Sequence, residues 1–409
     1  MIDDVILKIN TMLWNWPTIV GLIIVSIYLS IKLKFKNYKL NILKLISKDK
    51  TSLFLTLGTK IGVGSLIGTT SSIIIGGFSS VIWMILFSLL TTSITYHEAY
   101  YGNKYKKKSN SNFVGGPYYI LKYGLNKKIL SIVSLILLIV IYSFLFQMIQ
   151  MNSIGYLLEL LNIKKILIII ISLIVLFITF RLSIEEVLNG LNKVVPLMCL
   201  LFLIVSIYGI VNNFRLIDIT LITKDFISIK SILTGLVIGV KRSIFMNELL
   251  IGTTSTGSAS DKNDIETSIN YQILSVYFIG IFITIIISLL LLIYLSTNDI
   301  LSNYNLLLTG VYSSILGKYG LLFLIIIYIL FGFTTILSGY YIGKNNIEYL
   351  TNSKIILNIF KIVFIIFAVS GIIFKSEFLW IIIDNLILIM IIINSYSIIK
   401  LIKYEKEKI

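Results

Sequence analysis

Gly62-Val63-Gly64-Ser65-Leu66-Ile67-Gly68-Thr69-Thr70-Ser71-Ser72 sits in the middle of an apolar stretch, Leu53 to Ile75, that is long enough to cross a bilayer. A second stretch, Ile232 to Ser258, has the same defect: Lys241-Arg242 and Asn247-Glu248 precede Gly252-Thr253-Thr254-Ser255. Hydrocarbon cannot satisfy an open backbone or a charge. Such segments persist only where they line a cavity enclosed by protein. Two interrupted helices in corresponding positions of two halves point to a solute site near the membrane midplane.

The composition fits this reading. Of the 409 residues 57% are hydrophobic, with a mean hydropathy of +0.96, which leaves too few polar residues to cover a soluble fold. The net charge of +16 does not signal nucleic acid, because the lysines collect in short connections between apolar runs. The single cysteine, Cys199, has no internal disulfide partner and reads as a small core hydrophobe. Asp3 and Asp4 stand where a secretion signal would be basic, so no removable signal peptide is expected.

Runs of roughly 18 or more apolar residues mark membrane helices. Eleven are expected. A precursor lies near 16–33, and ten core spans lie near 53–75, 79–101, 129–160, 164–181, 189–212, 232–258, 267–296, 319–343, 354–374 and 378–402. Lysines cluster at three places: Lys32, Lys34, Lys36, Lys39, Lys44, Lys48 and Lys50 before core span one; Lys104, Lys106, Lys107, Lys108, Lys122, Lys127 and Lys128 between spans two and three; and Lys403, Lys406 and Lys408 in the tail. Eleven spans put all three on one side, which the positive-inside rule makes the cytoplasm. The N-terminus is then outside and the C-terminus inside.

The expected fold is an all-α integral membrane protein with an inverted five-plus-five repeat. Residues 1–50 form an extra helix and basic connection, 51–213 the first repeat, 214–230 an extracellular connection, 231–403 the second repeat and 404–409 the tail. An odd number of spans per repeat inverts the halves, and spans one and six, the first of each half, are the broken ones. The sequence has no phosphate-binding loop, nucleophile–base pair or Cys/His cluster. An ATP-driven pump, an enzyme, an organic cofactor and a transition metal are therefore not expected.

Several polar residues fall within the spans. Opening of span one near Gly64-Ser65 would point free amides of a helix N-terminus, suited to a carboxylate, into a cavity. The same glycines also permit close helix packing. Thr334 and Thr335, inside span eight, present two hydroxyls to a hard cation or bond the carbonyls one turn back. Gln147, Gln150, Asn152 and Ser153 interrupt span three, where Gln150 needs a partner. Glu98, beside the lone His97, is expected to meet a cation or a helix terminus. Lys60 either snorkels to the headgroups or lends fixed charge near a cation.

These residues, taken together, resemble the alanine or glycine:cation symporter family. Its first broken helix reads Gly-Thr-Gly-Asn-Ile-Ala-Gly-Val-Ala-Thr-Ala-Ile, matched here from Gly62 to Ile73 and continued by Gly76-Gly77 and Trp83-Met84. Val114-Gly115-Gly116-Pro117 matches a cytoplasmic signature. Gln150-Met151-Asn152-Ser153 matches Gln-Ala-Asn-Ser. Lys241-Arg242-Ser243-Ile244-Phe245-Met246-Asn247-Glu248 matches the sixth helix, and Phe333-Thr334-Thr335-Ile336-Leu337 the eighth. The resemblance implies import of a small neutral amino acid with Na⁺, or sometimes H⁺, by alternating access at the cell membrane. Carried over by position, it places Gly64, Ser65, Gln150, Phe245, Asn247, Gly252 and Gly339 at the substrate. Ile61, Gly64, Thr334 and Thr335 would hold the cation, and Lys60, Glu98 and Glu248 would supply charge or coupling.

The departures from the pattern are specific. Ser65 replaces the family's Asn, Leu250 replaces a Gly of the sixth helix, and Gly339 replaces a common Trp, a swap expected to enlarge the pocket. Two other readings stay open: a proton-coupled or uncoupled transporter of the same fold, and a non-transporting amino-acid receptor or subunit.

Overall fold

A computed structural model describes residues 2–41, 45–46, 49–109, 112–260, 262–351 and 353–406. Lys44, Lys48 and Lys408 of the basic clusters lie outside the described residues. The chain begins with α1 (Ile2–Leu13) and α2 (Trp16–Lys32), bent by 42° at a short break. Asn15 caps α2 by accepting from the Thr18 amide, and Pro17 sits in the first turn, where its missing N–H costs nothing.

The first expected core span is two helices, α3 (Thr51–Lys60) and α4 (Val63–Lys104). The second half of that span and the whole of the next run together as α4, with one non-helical residue, Gly77 at φ 67°. This differs from the two separate spans expected. The reason lies in the connection after residue 213, where the Asp225 carboxylate accepts from the Phe78 amide and restarts the helix. A side chain at residue 77 would be driven into that carboxylate, and its positive φ suits glycine.

The polypeptide then forms β1 (Lys107–Ser109) and β2 (Asn112–Val114), an antiparallel pair with Lys107 opposite Val114. This short hairpin is the one strand pair among the described residues of an otherwise all-helical structure, as expected. It is followed by α5 (Pro117–Tyr119), α6 (Lys128–Leu160), α7 (Lys165–Thr179) and α8 (Ile184–Asn213). Ser183 and Glu186 form a reciprocal capping box that starts α8. Next come α9 (Thr220–Lys224), α10 (Ile229–Asn247) and α11 (Thr253–Ala259), so the expected span 232–258 is also broken. The remaining helices are α12 (Ile265–Leu295), α13 (Tyr304–Leu316), α14 (Gly320–Leu350), α15 (Lys354–Ser370) and α16 (Ser376–Lys406).

Among the described residues six helices are long and apolar enough to cross a membrane, seven with the bent α1–α2 pair. The outward faces fit lipid. On α7 alone Ile166, Ile170, Ile171, Ile174, Phe177 and Ile178 are exposed. The interior is the polar part. Lys60, Glu98, Gln147, Gln150, Asn247, Glu248, Thr334, Thr335 and Asp384 are all buried, the inverse of a soluble protein. α4 packs along α10, α11 and α12, and α14 along α6, α3 and α8, so the two broken helices lie at the centre.

Candidate functional site

The first break falls at Ile61 and Gly62, earlier in the chain than the Gly64-Ser65 opening expected. Gly62 is extended (φ −106°, ψ −179°), and α4 restarts at Val63. The first amides of a helix have no intrahelical partner. Val63 gives its amide to Gln150 Oε1 at 2.9 Å, and the Ser65 amide returns to the Gly62 carbonyl at 3.1 Å. The Gly64 amide is left without a partner among the described residues. The Ser65 hydroxyl donates to the Gly62 carbonyl at 2.7 Å, so it closes the turn rather than reaching outward.

The second break runs from Glu248 to Gly252. Glu248 (φ 49°), Leu250 (φ 57°) and Gly252 (φ 117°) all adopt positive φ. Leu250 is where the family pattern carries glycine, and a side chain there costs roughly 1–2 kcal/mol of backbone strain. Two contacts hold it: Glu98 Oε2 accepts from the Leu250 amide at 3.0 Å, and Asn394 Nδ2 donates to the Leu250 carbonyl at 2.6 Å. Glu98 therefore pins the open backbone of the second break.

A small buried cavity lies between the breaks, lined by Lys60, Gly62, Gly64, Ser65, Gln150 and Phe245, together with Thr59, Phe146 and Glu248. About 10 Å³ of free space remains, the room of one water. Phe245 packs directly against the first break. A Cβ added at Gly64 would stand 2.9 Å from its ring, and that ring packs on Phe146 (5.3 Å between centroids) and Trp380 (4.5 Å). Arg242 lies 4.5 Å over Trp380. One turn away, Lys241 pairs with Asp384 at 2.6 Å and donates to Asn10 of α1 at 3.0 Å.

Of the residues expected at the substrate, Gly64, Ser65, Gln150 and Phe245 come together at this cavity, and Asn247, Gly252 and Gly339 do not line it. Asn247 Nδ2 donates to Ser88 Oγ at 2.8 Å, between α10 and α4. Gly252 starts α11 against Pro117 and Leu138. Gly339 does not enlarge the pocket as expected. Gln147 Nε2, bound to the Tyr142 carbonyl at 2.6 Å, fills the space its missing side chain leaves.

The expected cation ligands divide in the same way. Thr335 Oγ1 stands 3.2 Å from the Gly58 carbonyl and 3.0 Å from that of Phe331, beside Gly62, so it faces the first break next to Ile61. Thr334 Oγ1 instead donates to Phe331 and touches Met198 at 3.4 Å, on the α8 side. Lys60 is only 3% exposed and donates to Ser275 Oγ at 3.0 Å, so it does not snorkel. Lys60, Glu98 and Glu248 form one electrostatic group.

Ser275, Thr59, Phe146, Trp380 and Asp384 were not singled out in the sequence. Asp384 had a signal, an acid inside an apolar span. Ser275 and Phe146 had none, because their role comes from helices that meet only in the fold. A larger cavity of about 440 Å³, lined by Asn152, Glu159, Lys165, Lys375 and Glu377 among others, opens further along α6 from Gln150.

Comparison with known proteins gives a consistent answer. The model of the sodium:alanine symporter family matches residues 1–409. A probable sodium/glutamine symporter, GlnT of Bacillus subtilis, is 24% identical over 95% of this chain and 86% of its own. The amino-acid carrier protein AlsT of the same organism is 26% identical over 83% of this chain and 75% of its own. The sodium/alanine symporter AgcS of Methanococcus maripaludis is 27% identical over 29% of each chain.

Proposed function

Because the chain belongs to the sodium:alanine symporter family, whose members are sodium-coupled amino-acid symporters and not enzymes, we propose that it imports a small neutral amino acid with Na⁺ by alternating access. The observation that carries this reading is the small buried cavity at the two helix breaks, with Phe245 in its lining and packed on Phe146. Its 10 Å³ excludes any amino acid, so binding requires Phe245 to swing away. A ring that must move for a guest to enter couples occupancy to conformation. In this reading the inverted five-plus-five arrangement spans the membrane eleven times, with the N-terminus outside, and the 440 Å³ cavity is the outer vestibule.

Sodium sits at the first break on the Thr335 hydroxyl, with Thr334 and the carbonyls of Ile61 and Gly64 in reach after rearrangement. Joining α14 to the break, it favours one of the two states. The test is uptake into proteoliposomes under an imposed Na⁺ gradient. Uptake follows the gradient, and Thr335→Ala weakens its sodium dependence several-fold. Gradient-independent uptake with an unaltered variant defeats the sodium assignment. A thermal-shift screen of amino acids with and without Na⁺ identifies the cargo, since a ligand stabilises by mass action.

The buried Lys60, Glu98 and Glu248 group favours one competing reading, proton coupling. Flux that follows a pH gradient and ignores sodium selects it.

A further inference from the structure

We propose that the Glu248 carboxylate binds the ammonium group of the substrate, and that the cavity therefore selects zwitterionic α-amino acids with a free amine. This rests on the amino-acid transport reading above and assigns the recognition within it.

The first observation is an orphaned oxygen. Glu248 is 2% exposed, and its Oε2 has no hydrogen-bond partner among the described residues. The hydroxyls of Thr253, Thr59 and Tyr142 neighbour the carboxylate, yet none serves that oxygen at hydrogen-bonding distance. The residue sits just past the end of α10 in the left-handed region, and it lines the buried cavity. A buried acceptor left without a donor is costly, and a cationic donor entering the cavity relieves that cost.

The second observation is the charge count. With all three ionised, Glu98 and Glu248 would carry two negative charges against the one positive charge of Lys60, an excess of one. Glu98 already receives the Leu250 amide, and Lys60 already donates to Ser275. Glu248 is the member with capacity to spare. A single buried charge of this kind is stabilised by one positive guest.

The third observation sets the other end of the guest. Gly64, whose amide has no partner among the described residues, stands at the start of α4 and lines the same cavity, where the helix terminus attracts a carboxylate. An α-amino acid carries an ammonium and a carboxylate on one carbon. One small molecule thus answers both the orphaned Glu248 oxygen and the Gly64 amide, which neither Na⁺ nor a proton can do.

The experiment is direct binding to the purified full-length protein in Na⁺ buffer. The probes are L-alanine, L-glutamine, N-acetyl-L-alanine and propionate. The wild type binds at least one of the two amino acids, and N-acetyl-L-alanine and propionate do not compete. Glu248→Gln weakens amino-acid binding roughly ten- to hundred-fold, the loss of a charge-assisted hydrogen bond, while Glu248→Asp keeps part of it. The competition series needs no variant, so a misfolded Glu248→Gln leaves a decisive result. Equal competition by N-acetyl-L-alanine overturns the proposal. So does a folded Glu248→Gln that binds amino acids as tightly as wild type but has lost its sodium dependence, which would reassign the carboxylate to the ion. A wild type that binds Na⁺ but neither amino acid overturns the small-neutral-cargo reading as well.

Discussion

The Lys241–Asp384 pair supplies the sharpest stability prediction. Its atoms are 2.6 Å apart, with side chains 13% and 4% exposed. At an effective dielectric near 20 the bare attraction is about 6 kcal/mol, most of it offset by desolvation of both ions. Removing only one partner keeps the desolvation and loses the attraction. Lys241→Met strands Asp384 in the interior, where the Trp14 indole donates only to its backbone carbonyl. The expected cost is about 3–5 kcal/mol. Asp384→Asn is milder, because Lys241 keeps Asn10 Oδ1 at 3.0 Å and the Trp14 ring at 5.5 Å. The double variant has no stranded charge and should cost less than Lys241→Met alone. The cycle thus predicts a coupling of about 2 kcal/mol or more, measured by equilibrium unfolding in mixed detergent micelles. Costs that add within about 0.5 kcal/mol refute the reasoning. The same cycle bears on transport, since Arg242 and Phe245 follow Lys241 on α10 and lead to the cavity.

Other outcomes follow from single contacts. Gln150→Met leaves the Val63 amide buried without an acceptor, so it should cost about 1–3 kcal/mol and abolish uptake; unchanged melting and uptake would contradict the placement of Gln150. Leu250→Gly relieves about 1–2 kcal/mol of strain but empties a fully buried site worth about 2–5 kcal/mol, so melting should fall; a rise would show that strain dominates. Asp49 is outside the membrane spans. Partial burial pushes its carboxyl up, but the Thr51 amide and hydroxyl and the Lys262 amide more than offset this and hold it below the usual value. A lowered folded value means stability present above the unfolded aspartate value of about 3.9 and lost as pH falls through the folded one. Wild type should therefore out-melt Asp49→Asn at pH 7, with the gap closing below about pH 4; a gap independent of pH would exclude the carboxylate.

Architecture was legible where composition carries it. Apolar runs are a property of the chain alone, and so is the need to hide the Gly62–Ser72 and Lys241–Gly252 stretches from lipid. The second break was visible for the same reason, since Asn247-Glu248 and Gly252 together cannot continue a helix in hydrocarbon. The motif order from Gly62 to Leu337 announced the family, which the match over residues 1–409 established. The position of the first break was less legible. Three glycines stand between residues 62 and 68, and local propensity does not choose among them. Gln150, from a helix more than eighty residues away, chooses by accepting the Val63 amide.

By itself, then, the sequence determined that this is a membrane protein with two defective helices enclosing polar groups, because hydropathy and helix-breaking are local. Only the tertiary structure decided which polar groups share a cavity. It turned Asn247 towards Ser88 and Thr334 towards Met198, filled the gap at Gly339 with Gln147, and carried Lys60 inward to Ser275. It also left one oxygen of Glu248 without a partner among the described residues, in the cavity that Phe245 lines. The physical reason is that a side chain's direction within a helix bundle is set by the neighbours it packs against, and those neighbours are distant in the chain.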